Sequence, residues 1–139
     1  MDVQTVSQVY QQLNKSNLHL LSDVYHQEVV FEDAAHRLEG WDALERYFDA
    51  LYTNVKRCDF NIIEHQQSGD NGFITWQMAL EHPKLSKGAV IQVNGVSHLK
   101  FYQGRVIYHR DYFDLGEMLY ENLPVLGSVI KTIKQRLGQ

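Results

Sequence analysis

Residues 89–113, AVIQVNGVSHLKFYQGRVIYHRDYF, decide the fold. They read as two long strands, Ala89 to Tyr102 and Arg105 to Phe113, joined by the tight turn Gln103-Gly104. A third long strand precedes them, from Phe73 to His82. Pro83 ends it, because proline cannot donate to a ladder. Further upstream, Phe60, Ile62 and Glu64 alternate with Asn61, Ile63 and His65, and Ser68-Gly69-Asp70-Asn71-Gly72 is a strong turn signal. Long strands with short connections predict an antiparallel meander.

The flanks change period. Val3, Val6, Val9, Tyr10 and Leu13 recur at helical spacing and predict a helix over 2–14. Asn17 can cap a second helix carrying Leu18, Leu21, Val24 and Tyr25. Glu28 to Asp33 reads as a short strand. Gly40 then breaks the chain, and Leu44, Tyr47, Phe48 and Leu51 mark a third helix. After the meander, Leu115, Leu119 and Leu123 lie four apart. Pro124 interrupts, and Leu126, Ile130, Ile133 and Leu137 form a second stripe. Helices on one face of a mainly antiparallel sheet make an α+β layer architecture. A twisted, curved sheet of this kind closes on its N-terminal helices as a cone, with a cavity inside and a C-terminal helical tail.

Composition sets the outer limits. The 139 residues have one composition throughout and no internal repeat, so a single domain over 1–139 is expected. A chain that is 44% hydrophobic and 22% charged is an ordinary globular protein, long enough for a core without staples. A net charge of −4 argues against nucleic acid as a partner, since such sites need clustered positive charge. Cys58 is the single cysteine, which excludes a disulfide framework and a thiolate metal cluster. No apolar run approaches a membrane span. The first ten residues lack a basic-then-apolar leader pattern, so the cytoplasm is the expected compartment.

Strand alternation defines an inward set: Ile74, Trp76 and Met78; Ser97, Leu99 and Phe101; His109, Asp111 and Phe113. Asp33 joins from the short strand and Tyr10 from the first helix. The opposite face collects Val93, Val96, Ile107 and Tyr112, and an exposed sheet face of that content points to a homodimer. The inward lining is aromatic and apolar with a few converging polar groups, as small-molecule sites usually are. A carboxyl held in such a lining loses hydration, which moves it towards acid or base work near neutral pH. His36, three residues after Asp33, can share one rim with it in a loop, though an exposed histidine is the commoner outcome. His36, His98, His109, Asp33 and Asp111 are the candidate metal ligands, but His98 should face outward and no HxH or HExxH spacing occurs, so no metal is expected. No cofactor is implied.

With these residues in place, the chain resembles the nuclear transport factor 2-like superfamily, in its SnoaL-like branch. The signatures are Leu18 to Gly40, Trp41 to Phe48, Ser97 to Phe101 with Gly104-Arg105-Val106, and the run Arg110-Asp111-Tyr112-Phe113-Asp114. The resemblance implies the cone fold. Function it leaves open, because this fold hosts isomerases, cyclases, epoxide hydrolases, dehydratases and pure binding proteins. The resemblance to ketosteroid isomerase implies that Asp33 stands where that enzyme has its general base and Tyr10 where it has an oxyanion-hole tyrosine. Ser97 stands where it has a protonated aspartate. The resemblance to limonene epoxide hydrolase puts Asp111 at the water-activating aspartate. The charged partners that enzyme carries on the neighbouring strand are replaced here by Trp76 and Met78.

The expected site therefore has Asp33, Asp111, Tyr10 and His109 as acid/base candidates. Trp76, Met78, Ser97, Leu99, Phe101, Phe113 and His36 would surround a small apolar ligand. Each residue has a plainer role available. Asp33 can close an Asx turn. Asp111 can pair with Arg110 or Arg37, and His109 can be a satisfied core histidine. Residues i and i+2 stand roughly 6–7 Å apart along a strand, so His109 and Asp111 need not touch. Tyr10, Trp76, Met78, Phe101 and Phe113 can simply fill the core. The functional readings are an enzyme of isomerase, cyclase, dehydratase or hydrolase type, a binding protein for an apolar or lipid-like ligand, and a structural dimer with a filled cone. Lys131, Lys134 and Arg136 make the last stripe a basic amphipathic helix. Such a helix can lie on a membrane surface, though it more often packs over the body or against a second subunit.

Overall fold

The computed structural model describes residues 1–119, 122–123 and 125–138. Helix α1 spans Val3–Gln12, and the side chain of Asp2 caps it by accepting from the Thr5 amide. A 3₁₀ segment, Leu18–Asp23, leads into β1 (Tyr25–Glu32), the three-residue β2 (Arg37–Glu39) and α2 (Trp41–Asn54). Four strands follow: β3 (Arg57–Ser68), β4 (Asn71–Glu81), β5 (Val90–Tyr102) and β6 (Arg105–Phe113). The chain ends in the single turn α3 (Leu115–Met118) and in α4 (Leu126–Leu137). Pro124, where the sequence places a break, lies outside the described residues.

All six strands form one sheet in the order β2-β1-β6-β5-β4-β3. The predicted meander is β3 to β6, antiparallel throughout. β1 lies beside β6 in parallel, with β2, α2 and β3 to β5 between them in the chain. Three register irregularities interrupt the sheet, one of them between β1 and β6. Ile63 is an extra residue in β3, left unpaired between the Ile62–Trp76 and Glu64–Thr75 partners, and the β5–β6 register shifts between Lys100 and Phe101. The concave face receives α1 against β3 and β4, and α2 against β1 and β2. Val3, Val6 and Tyr10 of α1 and Trp41, Leu44, Phe48 and Tyr52 of α2 are buried there with Tyr25, Phe31, Leu99 and Val106.

Three local expectations need correction. The second helix is only the 3₁₀ segment, and Tyr25 opens β1. Asn17 makes no side-chain cap; its Oδ1 accepts from the Asn14 amide. The Leu18–Leu21–Val24–Tyr25 spacing is satisfied by a tight turn because Val24 and Tyr25 are already bound to the sheet, with the Val24 carbonyl accepting from the Val106 amide. β2 carries no periodic signal, being three residues long and largely exposed. Val93 faces inward, not outward: burial alternates strictly along β5 through Ile91, Val93, Gly95, Ser97 and Leu99. Val93 and Val96 are three apart, and an unbulged strand must put them on opposite faces. Val96 and Tyr112 are exposed on the outer face as expected.

Candidate functional site

The cone is not packed solid. A cavity of about 390 Å³ lies between the sheet and its helices. Its walls are Phe31 from β1; Tyr47, Phe48 and Leu51 from α2; Phe60 from β3; Trp76, Met78 and Leu80 from β4; and Phe113 from β6. Leu85 enters from the β4–β5 loop, and Leu115, Met118, Leu119 and Leu123 from the C-terminal segment. Tyr10, Asp33, Asp111, His36, His82 and Lys84 supply the polar groups. Nearly everything else the lining offers a ligand is hydrocarbon or aromatic ring, where electrostatic contacts are strong because water is scarce.

Both aspartates border this cavity, but their oxygens are used differently. Asp33 closes the β1–β2 turn. Its Oδ1 accepts from the amides of Ala35 (2.8 Å) and His36 (2.7 Å) and contacts His36 Nδ1 at 3.0 Å. Its Oδ2 accepts a long 3.4 Å contact from the Tyr47 hydroxyl and meets the same imidazole at 3.3 Å. This is the Asx-turn role, with both oxygens engaged. His36 sits on the rim, about half exposed.

Asp111 is anchored on one oxygen only. Its Oδ1 accepts from His109 Nε2 at 2.6 Å and from the Ser97 hydroxyl. Ser97 in turn accepts from Trp76 Nε1 at 2.9 Å. On the far side, His109 Nδ1 lies 2.8 Å from the Tyr25 hydroxyl, which is hydrogen-bonded to that of Tyr10. The chemistry of the groups orients this chain. An indole N–H only donates and a carboxylate only accepts. Ser97 therefore spends its proton on Asp111, and a neutral His109 carries its proton on Nε2. Nδ1 is then the acceptor for Tyr25, and the Tyr25 oxygen accepts from Tyr10. Oδ2 of Asp111 has no hydrogen bond from any described residue, and it is not sealed away.

The network sits in a stack of rings. His109 lies 4.8 Å from Phe31 and 5.9 Å from Tyr25, nearly parallel to the latter, and Trp76 meets Phe60 edge-on at 5.5 Å. Burial pushes the Tyr10 and Tyr25 phenols well above their ordinary value, and the Asp111 carboxylate adds to both shifts. Burial, with Asp33 beside it, does the same to Tyr47. The Cys58 thiol, also in the lining, is pushed up to about 12 by burial. These groups are hydrogen-bond donors across the working range, not nucleophiles.

Several expected site residues move. His109 and Asp111 touch directly, despite the two-residue spacing, because the imidazole leans along the strand onto the carboxylate. His109 is buried behind Asp111 rather than facing the cavity, and so is Ser97. Leu99 and Phe101 lie off the cavity: Leu99 is fully buried core, and the Phe101 ring packs over Gly72 near Val3, where the cone has narrowed. Neither Arg110 nor Arg37 pairs with Asp111. Both go to Glu32 on the neighbouring strand. Sequence reading missed Tyr25, which it placed in a helix. It also missed Gly95. A Cβ there would lie 2.3 Å from Trp76 Cη2, so only glycine lets the indole lie across β5. Among the described residues, no three His, Cys, Asp or Glu side chains gather as a metal would require.

This cone with an interior acid defines a class. The family model of the SnoaL-like domain matches residues 6–109, and the chain belongs to that family, within the nuclear transport factor 2-like fold. Solved structures agree on the fold. A protein with a ketosteroid isomerase-like fold from Catenulispora acidiphila, solved with trimethylamine, is 14% identical. It superposes with a TM-score of 0.76 over 89% of this chain and 96% of that one. An epoxide hydrolase of limonene type from M. tuberculosis is 18% identical, with a TM-score of 0.72 and 95% of each chain covered. A protein from Shewanella denitrificans described as a candidate SnoaL-like polyketide cyclase is 23% identical, with a TM-score of 0.70 over 83% of this chain and 92% of that one. No curated protein matches the sequence significantly.

Proposed function

We propose that this protein is an enzyme that moves a proton on a small, largely apolar molecule held in the cone, with Asp111 as the base. One observation carries the reading: Asp111 borders a mainly apolar cavity with one oxygen fixed by His109 and Ser97, while its other oxygen receives no hydrogen bond from any described residue. A base so placed needs no reorganisation when it takes a proton. His109, Ser97, Trp76 and Tyr25 position it, and Tyr10, which lines the same cavity, ends the chain by donating to Tyr25. Asp33 shapes the rim and holds His36. Proton transfer at carbon, of isomerase or cyclase type, fits better than epoxide opening, because Trp76 and Met78 of β4, which is separated from Asp111 by β5 and is not its neighbour as expected, line the cavity where a charged pair would be needed. The lining also supports a second reading, a carrier of an apolar ligand without chemistry. The exposed outer face, with Phe73, Val90, Val96 and Tyr112, supports a homodimer.

The test uses nitrobenzisoxazole, a flat apolar probe that opens to a coloured phenolate when a base removes its ring C–H proton. The parent protein should turn it over. Asp111→Asn should lower the rate by about 10²–10⁴-fold, the usual contribution of a general base, while Asp33→Asn keeps most of it. Binding without Asp111-dependent turnover would leave the carrier reading in its place.

A further inference from the structure

Helix α4 has no covered apolar face. Gly127 is its one buried residue, and every residue from 131 to 138 is exposed. Leu126 is 42%, Val129 50%, Ile133 50% and Leu137 81% exposed. With Ile130 they fall within an arc of about 100° on the helix surface. A helix of this length is marginal in water unless something packs on its apolar face, so the exposed stripe points to a missing partner surface. The flanks of the stripe identify its chemistry. Arg136 borders one side, Lys134 and Lys131 the other, and residues 125–138 contain no acid, in a chain whose net charge is −4. Lys134 also lies 4.0 Å from the Asp114 carboxylate, which leaves Lys131 and Arg136 as the deciding cations: pairing two copies of α4 would bring these together with no acid on the helix to offset them. An anionic lipid surface accepts both the stripe and its cationic borders.

We propose that α4 is an interfacial anchor that lays Leu126, Val129, Ile133 and Leu137 into the headgroup region of anionic bilayers, with Lys131 and Arg136 on lipid phosphates. It lies on the surface and does not cross; no described helix is long and apolar enough for that. α4 follows closely on Leu119 and Leu123, which wall the cavity, so docking brings the cavity's C-terminal wall to the lipid.

The test is co-sedimentation of the full chain with vesicles of phosphatidylglycerol and phosphatidylcholine in equal parts, and with phosphatidylcholine alone. Binding should require the anionic lipid and fall as salt rises. Lys131→Glu with Arg136→Glu should weaken it about tenfold or more, and Ile133→Ser with Leu137→Ser should remove it even at low salt. These side chains are exposed, so the melting temperature should stay at the parent value. Failure of the parent to bind anionic vesicles overturns the proposal, as does unchanged binding by either pair of substitutions. So does a lipid-free oligomer that Ile133→Ser with Leu137→Ser dissociates in sedimentation velocity, because the stripe would then be a protein interface.

Discussion

Gly95→Ala should damage this protein far more than the usual loss of a glycine. Glycine is a poor strand residue, and alanine at a tolerant site would gain about 0.5–1 kcal/mol. Here the new Cβ would stand 2.3 Å from Cη2 and 2.4 Å from Cζ2 of Trp76. Carbon atoms in contact normally sit near 3.5–4.0 Å, so the indole must withdraw by more than about 1 Å. It has little room. Phe60 meets its face, Phe113 lies behind it, and its N–H is held by Ser97 at 2.9 Å. Forced overpacking costs about 1–3 kcal/mol, and losing the buried indole bond costs about 1–3 kcal/mol more. The total of about 2–6 kcal/mol lowers the melting temperature by roughly 8–24 °C at this chain length. The assay is thermal unfolding of Gly95→Ala, Trp76→Leu and the double variant. Trp76→Leu alone should cost about 3 kcal/mol. In that background the alanine should be neutral or mildly stabilising, because the clashing atoms are gone. If Gly95→Ala costs the same with and without the indole, the packing rationale is wrong.

Other consequences follow from the same geometry. Tyr25→Phe deletes the hydroxyl joining Tyr10 to His109, and should cost about 1–3 kcal/mol in urea unfolding while lowering Asp111-dependent turnover. The phenols of Tyr10, Tyr25 and Tyr47 are raised above the unfolded value of 10.0. Their protonated form is favoured by folding, so that share of stability is whole below pH 10 and drains away as pH climbs above it. Spectrophotometric titration should show these tyrosines ionising only together with alkaline unfolding; smooth ionisation of all eight in the folded protein would contradict their burial. Val96→Glu with Tyr112→Glu, on the outer face of β5 and β6, should convert the proposed dimer to monomer in sedimentation equilibrium, with the fold intact by circular dichroism.

Much of the fold was legible because its decisive strands are long. β5 shows its face by strict alternation, although sequence reading set Val93 on the wrong side, β6 alternates only in part, and the Gln103-Gly104 turn fixes their pairing, with positive φ at both residues. The entry to β1 was not legible. Leu18, Leu21, Val24 and Tyr25 satisfy a helical spacing, and only the tertiary pairing to β6 and the bond from Tyr25 to His109 decide for the strand. At the site, alternation correctly turned Trp76, Asp111 and Phe113 inward. It could not say how far each side chain lies along the cone's taper, which is why Leu99 and Phe101 dropped out. Nor could period distinguish the two aspartates. That difference lies in hydrogen bonds: both oxygens of Asp33 are engaged at the turn it closes, whereas only Oδ1 of Asp111 is bonded by described residues.

A co-crystal structure with nitrobenzotriazole, a bicycle shaped like the nitrobenzisoxazole probe but unable to open, addresses the base most directly. The ring should lie between Trp76, Phe48 and Phe113 and donate its N–H to Oδ2 of Asp111, with His109 and Ser97 still on Oδ1. A ring bound outside the cone, or one hydrogen-bonded to Asp33 while Oδ2 of Asp111 turns to a protein group, would contradict the assignment.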